Sequence, residues 1–136
     1  MSAIANGPQF PWARDMHFSQ SVRTDDLVVA SGQAGFEPQP RQAFRNLDRV
    51  LHEQGSSLDG VLRLYTYLSD ASQYAAFKAI RAEFLRAPYP ASTAVVIGCV
   101  FPGMLCEIDA IAARGAIREP EPASRPEPGG AGGAGG

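Results

Sequence analysis

The sequence predicts a two-layer α+β domain, with two helices on one face of a mostly antiparallel sheet. Three observations predict it. LVVASGQ (27–33) and CEIDAIAA (106–113) are strand-like runs, the second strictly alternating. Two other stretches, after Pro40 and after Ser72, space their apolar residues at helical period. The segments follow in the order ββαβαββ, which places both helices on one side of a single sheet.

His17 to Arg23 is a short strand candidate, and Thr24-Asp25-Asp26 a turn. Leu27 to Gln33 follows as a β-branched strand. AGFEPQP is a loop whose Pro40 suits a helix start. Phe44, Leu47, Val50 and Leu51 then fall on one helical face, and Gly55 stops the helix. Leu62 to Leu68 is a second apolar strand, ending at Ser69-Asp70. Ser72 is placed to cap the next helix, whose apolar face is Tyr74, Phe77, Ile80, Phe84 and Leu85. Pro88 and Pro90 end it. Two closing strands, Thr93 to Val100 and Met104 to Ala113, are joined by a tight Phe101-Pro102-Gly103 turn. In the last strand Cys106, Ile108, Ala110 and Ala112 point one way, small and apolar enough to lie beneath helices. Leu105, Glu107, Asp109 and Ile111 point the other way. A face that mixes carboxylates with large aliphatics is expected to meet another subunit.

The domain is expected over 1–115. From Ala116 to residue 136, Pro, Gly and Glu dominate without apolar periodicity, so a disordered tail is expected. The first dozen residues, punctuated by Pro8 and Pro11, are irregular. Formal net charge is -2, which invites neither nucleic acid nor a membrane surface. No apolar run approaches the roughly 20 residues of a membrane span, and the N-terminus lacks signal-peptide features, so the expected compartment is the cytoplasm. Cys99 and Cys106 lie in apolar runs and are read as core thiols, neither a disulfide nor part of a metal site. Eleven arginines stand against a single lysine, Lys78, a bias that speaks to genome composition.

The blocks FSQSV (18–22), VVASGQ (28–33), QAFRNLDRVL (42–51), TYLSD (66–70), FKAIRAEFL (77–85), YPAST (89–93) and CEIDAIA (106–112) resemble, in order, those of the RidA/YjgF/L-PSP family of imine and enamine deaminases. The resemblance spans His17 to Arg114. It implies a chorismate-mutase-like homotrimer, with the sheets forming an inner barrel and small-molecule pockets between subunits. It also implies a reaction without cofactor or metal. Glu107 matches the family glutamate that positions the attacking water, and Ser31 and Gly32 match a segment that approaches ligands through its backbone. The family's carboxylate-binding arginine falls on Ser92, followed by Thr93. Hydroxyls there can hydrogen-bond a substrate but cannot neutralise a carboxylate. Phe18 stands where a pocket tyrosine is usual, Lys78 where an asparagine is, and the loop after Gly32 is about ten residues shorter. The family's ribonuclease label finds no basic stripe to support it.

Glu107 is accordingly the candidate catalytic residue, since a carboxylate inside an apolar strand must be paired, hydrated or functional. Phe18, Ser31, Gly32, Ser92 and Thr93 are the candidate substrate-binding residues. His17 is a weaker candidate base, and His52, late in a helix, suits its dipole. Arg14 or Arg63 could anchor a carboxylate in place of residue 92. The expected activity is cofactor-independent hydrolysis or deamination of an imine, enamine or related small carbonyl compound, other than the simplest α-imino acids. The alternative is a non-catalytic trimer that binds a small ligand or a partner protein.

Overall fold

The computed structural model of the chain describes residues 2–6, 15–35, 40–98 and 100–123. Strands β1 (Ile4–Asn6), β2 (Ser21–Arg23) and β3 (Leu27–Gly35) precede helix α1 (Pro40–Glu53). Strand β4 (Val61–Leu68), helix α2 (Tyr74–Phe84), β5 (Ala91–Val96) and β6 (Cys106–Ala113) follow. The strands form one six-stranded sheet in the order β1-β2-β3-β6-β4-β5. Every pairing is antiparallel except β4 with β5. Parallel neighbours need a long crossover, which α2 supplies.

The sheet differs from the sequence expectation in three places. An extra strand, β1, adds to the edge of β2, with Ile4 opposite Arg23 and Asn6 opposite Ser21. Three residues are too few to show alternation. The strand expected over His17 to Arg23 shrinks to Ser21–Arg23, because residues 15–17 turn and His17 takes a φ of 57°. The turn at 101–103 is present, with Gly103 at φ 81°. It does not make a hairpin, since β4 lies between β5 and β6. The long buried β4 takes both flanks and displaces β5 to the edge.

Helix α1 ends as the sequence requires. Gly55, at φ 81°, donates its N–H to His52 O (3.1 Å), and Ser56 N–H reaches Leu51 O (2.9 Å). These are the two bonds of a glycine C-terminal cap. The start of α2 differs from expectation: its N-cap is Gln73, without a side-chain capping bond, and the 3-10 turn Ala71–Gln73 that leads into it is capped by Asp70. Its side chain accepts from Ser72 N–H at 2.7 Å, and Gln73 Oε1 accepts from Asp70 N–H at 3.2 Å. A carboxylate two residues earlier outcompetes the serine hydroxyl.

The core lies between helices and sheet. Phe44 is fully buried and stacks on Phe77 (5.8 Å) and Phe84 (5.1 Å). Beneath it lie Val28, Ala30, Leu64, Cys106, Ile108, Ala110 and Ala112, so β6 buries the expected alternate set. Tyr74, expected on the apolar face of α2, is instead largely exposed. The chain stays held past the expected tail boundary at Ala116. The Arg118 guanidinium donates to Pro88 O (2.6 Å), Leu58 O (2.7 Å), Val61 O (2.9 Å) and Arg86 O (3.2 Å). The centre of the loop after β3 (36–39), Cys99, Arg14 and residues 124–136 lie outside the described residues. No helix among the described residues is long and apolar enough to cross a membrane.

Candidate active site

The side of the sheet away from the helices is open. Glu107 sits there near the start of β6, half-buried, between Ala34 of β3 and Tyr67 of β4. The β3–β6 register breaks between Ala30 and Gln33. This bulge takes Ser31 and Gly32 out of the ladder and aims their backbone at the neighbouring strand. A Cβ placed on Gly32 would overlap Glu107 Oε1. The carboxylate therefore occupies the space that any other residue at 32 would fill, a close approach that glycine permits. Burial raises the Glu107 pKa above its ordinary value, and the negative charge of Asp109 raises it further.

Tyr67 and Asp109 complete the acidic patch. The Tyr67 hydroxyl donates to Asp109 Oδ2 at 2.9 Å. Burial first, then this bond and the nearby carboxylates, push the Tyr67 pKa up to about 12, so it remains a donor at neutral pH. Further along the face Arg63 Nη2 donates to Thr93 Oγ1 (2.9 Å), and its guanidinium rests 4.1 Å from the centre of the Tyr65 ring. The Arg63 Nε is buried without a hydrogen-bond partner among the described residues. Sequence reasoning placed Asp109 on this face but did not single out Tyr67. The available signal was the period-2 run Arg63, Tyr65, Tyr67, polar or aromatic on one side and apolar on the other.

Of the candidate residues, Glu107 and Gly32 come together directly. The Ser31 hydroxyl donates to Ser19 O at 2.5 Å, and its N–H to Gln20 O, which ties the bulge to the segment beginning at Phe18. Phe18 itself is 41% exposed. Thr93 shares the open face, since it pairs with Tyr65, which pairs with Asp109. Ser92 does not: its partner is the buried Leu64, which puts it on the helix side of the sheet. There it lines a groove of about 600 Å³ with Lys78, Tyr89 and Pro90. His17 is exposed on its turn. His52 Nδ1 lies 3.1 Å from Asp48 Oδ1, one helical turn away, a local structural contact. No cluster of metal-binding side chains occurs among the described residues.

Fold and site thus define a class: a small α+β protein with a carboxylate set over a bulged glycine on a sheet face that mixes polar and apolar side chains. The chain belongs to the Endoribonuclease L-PSP family, which it matches over residues 12–114. It is 32% identical over 109 residues to Protein mmf2, mitochondrial, of Schizosaccharomyces pombe, covering 71% of this chain and 86% of that one. Over 110 residues it is 26% identical to the 2-iminobutanoate/2-iminopropanoate deaminase of Mus musculus, covering 72% and 82%. Among solved structures it resembles a member of the YjgF/YER057c/UK114 family from Mycobacterium tuberculosis. The TM-score there is 0.76 at 26% identity, covering 82% of this chain and 99% of the other.

Proposed function

We propose that the protein is a cofactor-independent deaminase of small imines or enamines, with Glu107 as its general base and acid. The observation that carries this reading is the half-buried Glu107 carboxylate held against Gly32 with a raised pKa. In the reaction, Glu107 takes a proton from water as the water oxygen bonds to the imine carbon. It returns that proton to the nitrogen, giving a carbinolamine; it then takes the hydroxyl proton and passes it to the nitrogen, so that the C–N bond breaks as the C=O bond forms, releasing ammonia and a carbonyl compound. A carboxyl pKa raised above its ordinary value suits a group that must both accept and release a proton. We assign polarisation of the substrate to backbone groups near Gly32.

Glu107 and Ser92 occupy opposite faces of one sheet, so one chain cannot present both to a single small molecule. Our reading is that the pocket forms between copies in a homotrimer, each open face meeting the α2–β5 side of a neighbour. Imines generated in situ by an amino-acid oxidase test the activity through ammonia release. Wild type should accelerate it, and Glu107→Gln should lose the acceleration. Equal rates with and without the wild-type protein, across small and bulky imines, would favour the second reading, a ligand-binding trimer without catalysis. The serine at residue 92, where the resemblance expects an arginine, is the observation that supports this alternative. We keep the cytoplasm as the proposed compartment, which fractionation tests against the mitochondrial designation of the yeast relative.

A further inference from the structure

The groove between α2 and β5 holds two cations with no anion to meet. Lys78 and Arg81, one turn apart on α2, both line it. Neither takes part in an ion pair among the described residues. Arg81 lies 5.5 Å from the Phe77 ring, and the nearby Glu83 is turned to Arg41 at 2.7 Å. Among the described residues no carboxylate lines the groove. Like charges one helical turn apart repel, a cost that a bound anion would offset. The remaining lining is apolar apart from two hydroxyls: Leu85, Pro90, small alanines, Ser92, and Tyr89, which is 68% exposed. A concave apolar surface of about 600 Å³ with a few convergent polar groups has the character and size of a small-molecule site. It is far roomier than a three-carbon acid needs.

We propose that this groove binds an organic carboxylate with an aromatic or branched body, the carboxylate on Lys78 and Arg81 and the body against Tyr89, Leu85 and Pro90. The proposal deepens the deaminase reading and rests on it in one respect, that the bound acid is the substrate side of the reaction: a bulky 2-imino acid and its 2-oxo product.

The test measures binding to the full chain of phenylpyruvate, its uncharged methyl ester, and pyruvate. Phenylpyruvate should bind about tenfold or more tighter than either of the others. Lys78→Gln should weaken phenylpyruvate about tenfold, and Lys78→Arg should restore most of the loss. Because Lys78 is the sole lysine, reductive ¹³C-methylation labels only it and the N-terminus, and phenylpyruvate should shift the Lys78 signal selectively. Equal affinity for acid and ester, or no change with Lys78→Gln, overturns the proposal. Lys78-dependent binding without ammonia release from the corresponding imine leaves the groove assignment standing and removes the deaminase reading. Ammonia release unaffected in KM by Lys78→Gln does the reverse.

Discussion

Glu107 lies half-buried over the backbone of Gly32, with Asp109 two residues along the same strand, and both effects favour its protonated form. The folded protein therefore holds this proton more tightly than the unfolded chain. Its contribution to stability is complete below the ordinary value of 4.5 and is lost as pH rises through the folded pKa. Glu107→Gln should thus melt higher than wild type at neutral pH and converge with it in acid, while losing activity. A Tm difference independent of pH would show that Glu107 is not the titrating group. Gly32→Ala should fold normally, because the atom its Cβ meets is the tip of a flexible side chain. The displaced carboxylate should still cost about a hundredfold in kcat/KM, a misplacement effect that circular dichroism would not register. At residue 92 the argument concerns charge. A guanidinium–carboxylate contact contributes roughly 1.5–3 kcal/mol, which a serine cannot supply. Hydrolysis of 2-iminopropanoate by wild type should be slow, and Ser92→Arg should raise it unless Glu107→Ala is also present. Rapid wild-type turnover of that substrate would mean that another cation already anchors small imino acids.

At the scale of elements, the segment after β6 behaves as a latch. Gly115 N–H bonds Gly55 O at 3.0 Å, Arg118 N–H bonds Asp59 O at 2.8 Å, and the Arg118 side chain spans from Leu58 to Pro88. It thereby ties the entry of β4 to the turn that leads into β5. Arg118→Ala leaves the Leu58 and Val61 carbonyls without this donor and should cost about 2 kcal/mol. Truncation after Arg118 should leave Tm nearly unchanged, whereas truncation after Gly115 should lower it. Equal melting of the two truncated proteins would remove the latch. The helix layer depends on one aromatic cluster. Phe44→Ala opens a cavity against Phe77 and Phe84 and should cost about 3–5 kcal/mol by denaturant titration.

Across the whole molecule, the open face is the conspicuous surface. Val22, Leu27 and Val29 are exposed on it, Val29 by 51%, beside the half-buried Ile111 and two carboxylates. A contiguous apolar sheet face is rarely left to water, and cyclic closure between copies hides it. Light scattering should give the mass of a trimer at micromolar concentration. Val29→Lys should dissociate it without unfolding the protomer, since this side chain is outside the core. A wild-type monomer would contradict both the assembly and the composite pocket.

What the sequence determined by itself was whatever depends on local periodicity. The alternation of Cys106 to Ala113 predicted which residues of β6 lie under the helices, and the spacing of Phe44, Leu47, Val50 and Leu51 with Gly55 predicted α1 and its end. These patterns follow from backbone geometry and need no distant partner. The face that carries Glu107 was legible for the same reason, whereas its candidacy as a catalytic residue came mainly from the family resemblance. Only the tertiary structure decided what depends on register between strands far apart in sequence. The β3 bulge that sets Gly32 beneath Glu107 and the hydrogen bond from Tyr67 to Asp109 are such features. So is the insertion of β4 between β5 and β6, which puts Ser92 and Glu107 on opposite faces. Adjacent residues in a strand always point to opposite sides, but which side is shared with a residue of another strand is fixed by pairing. For that reason Ser92 and Thr93, neighbours in the chain, stand on opposite faces of the sheet.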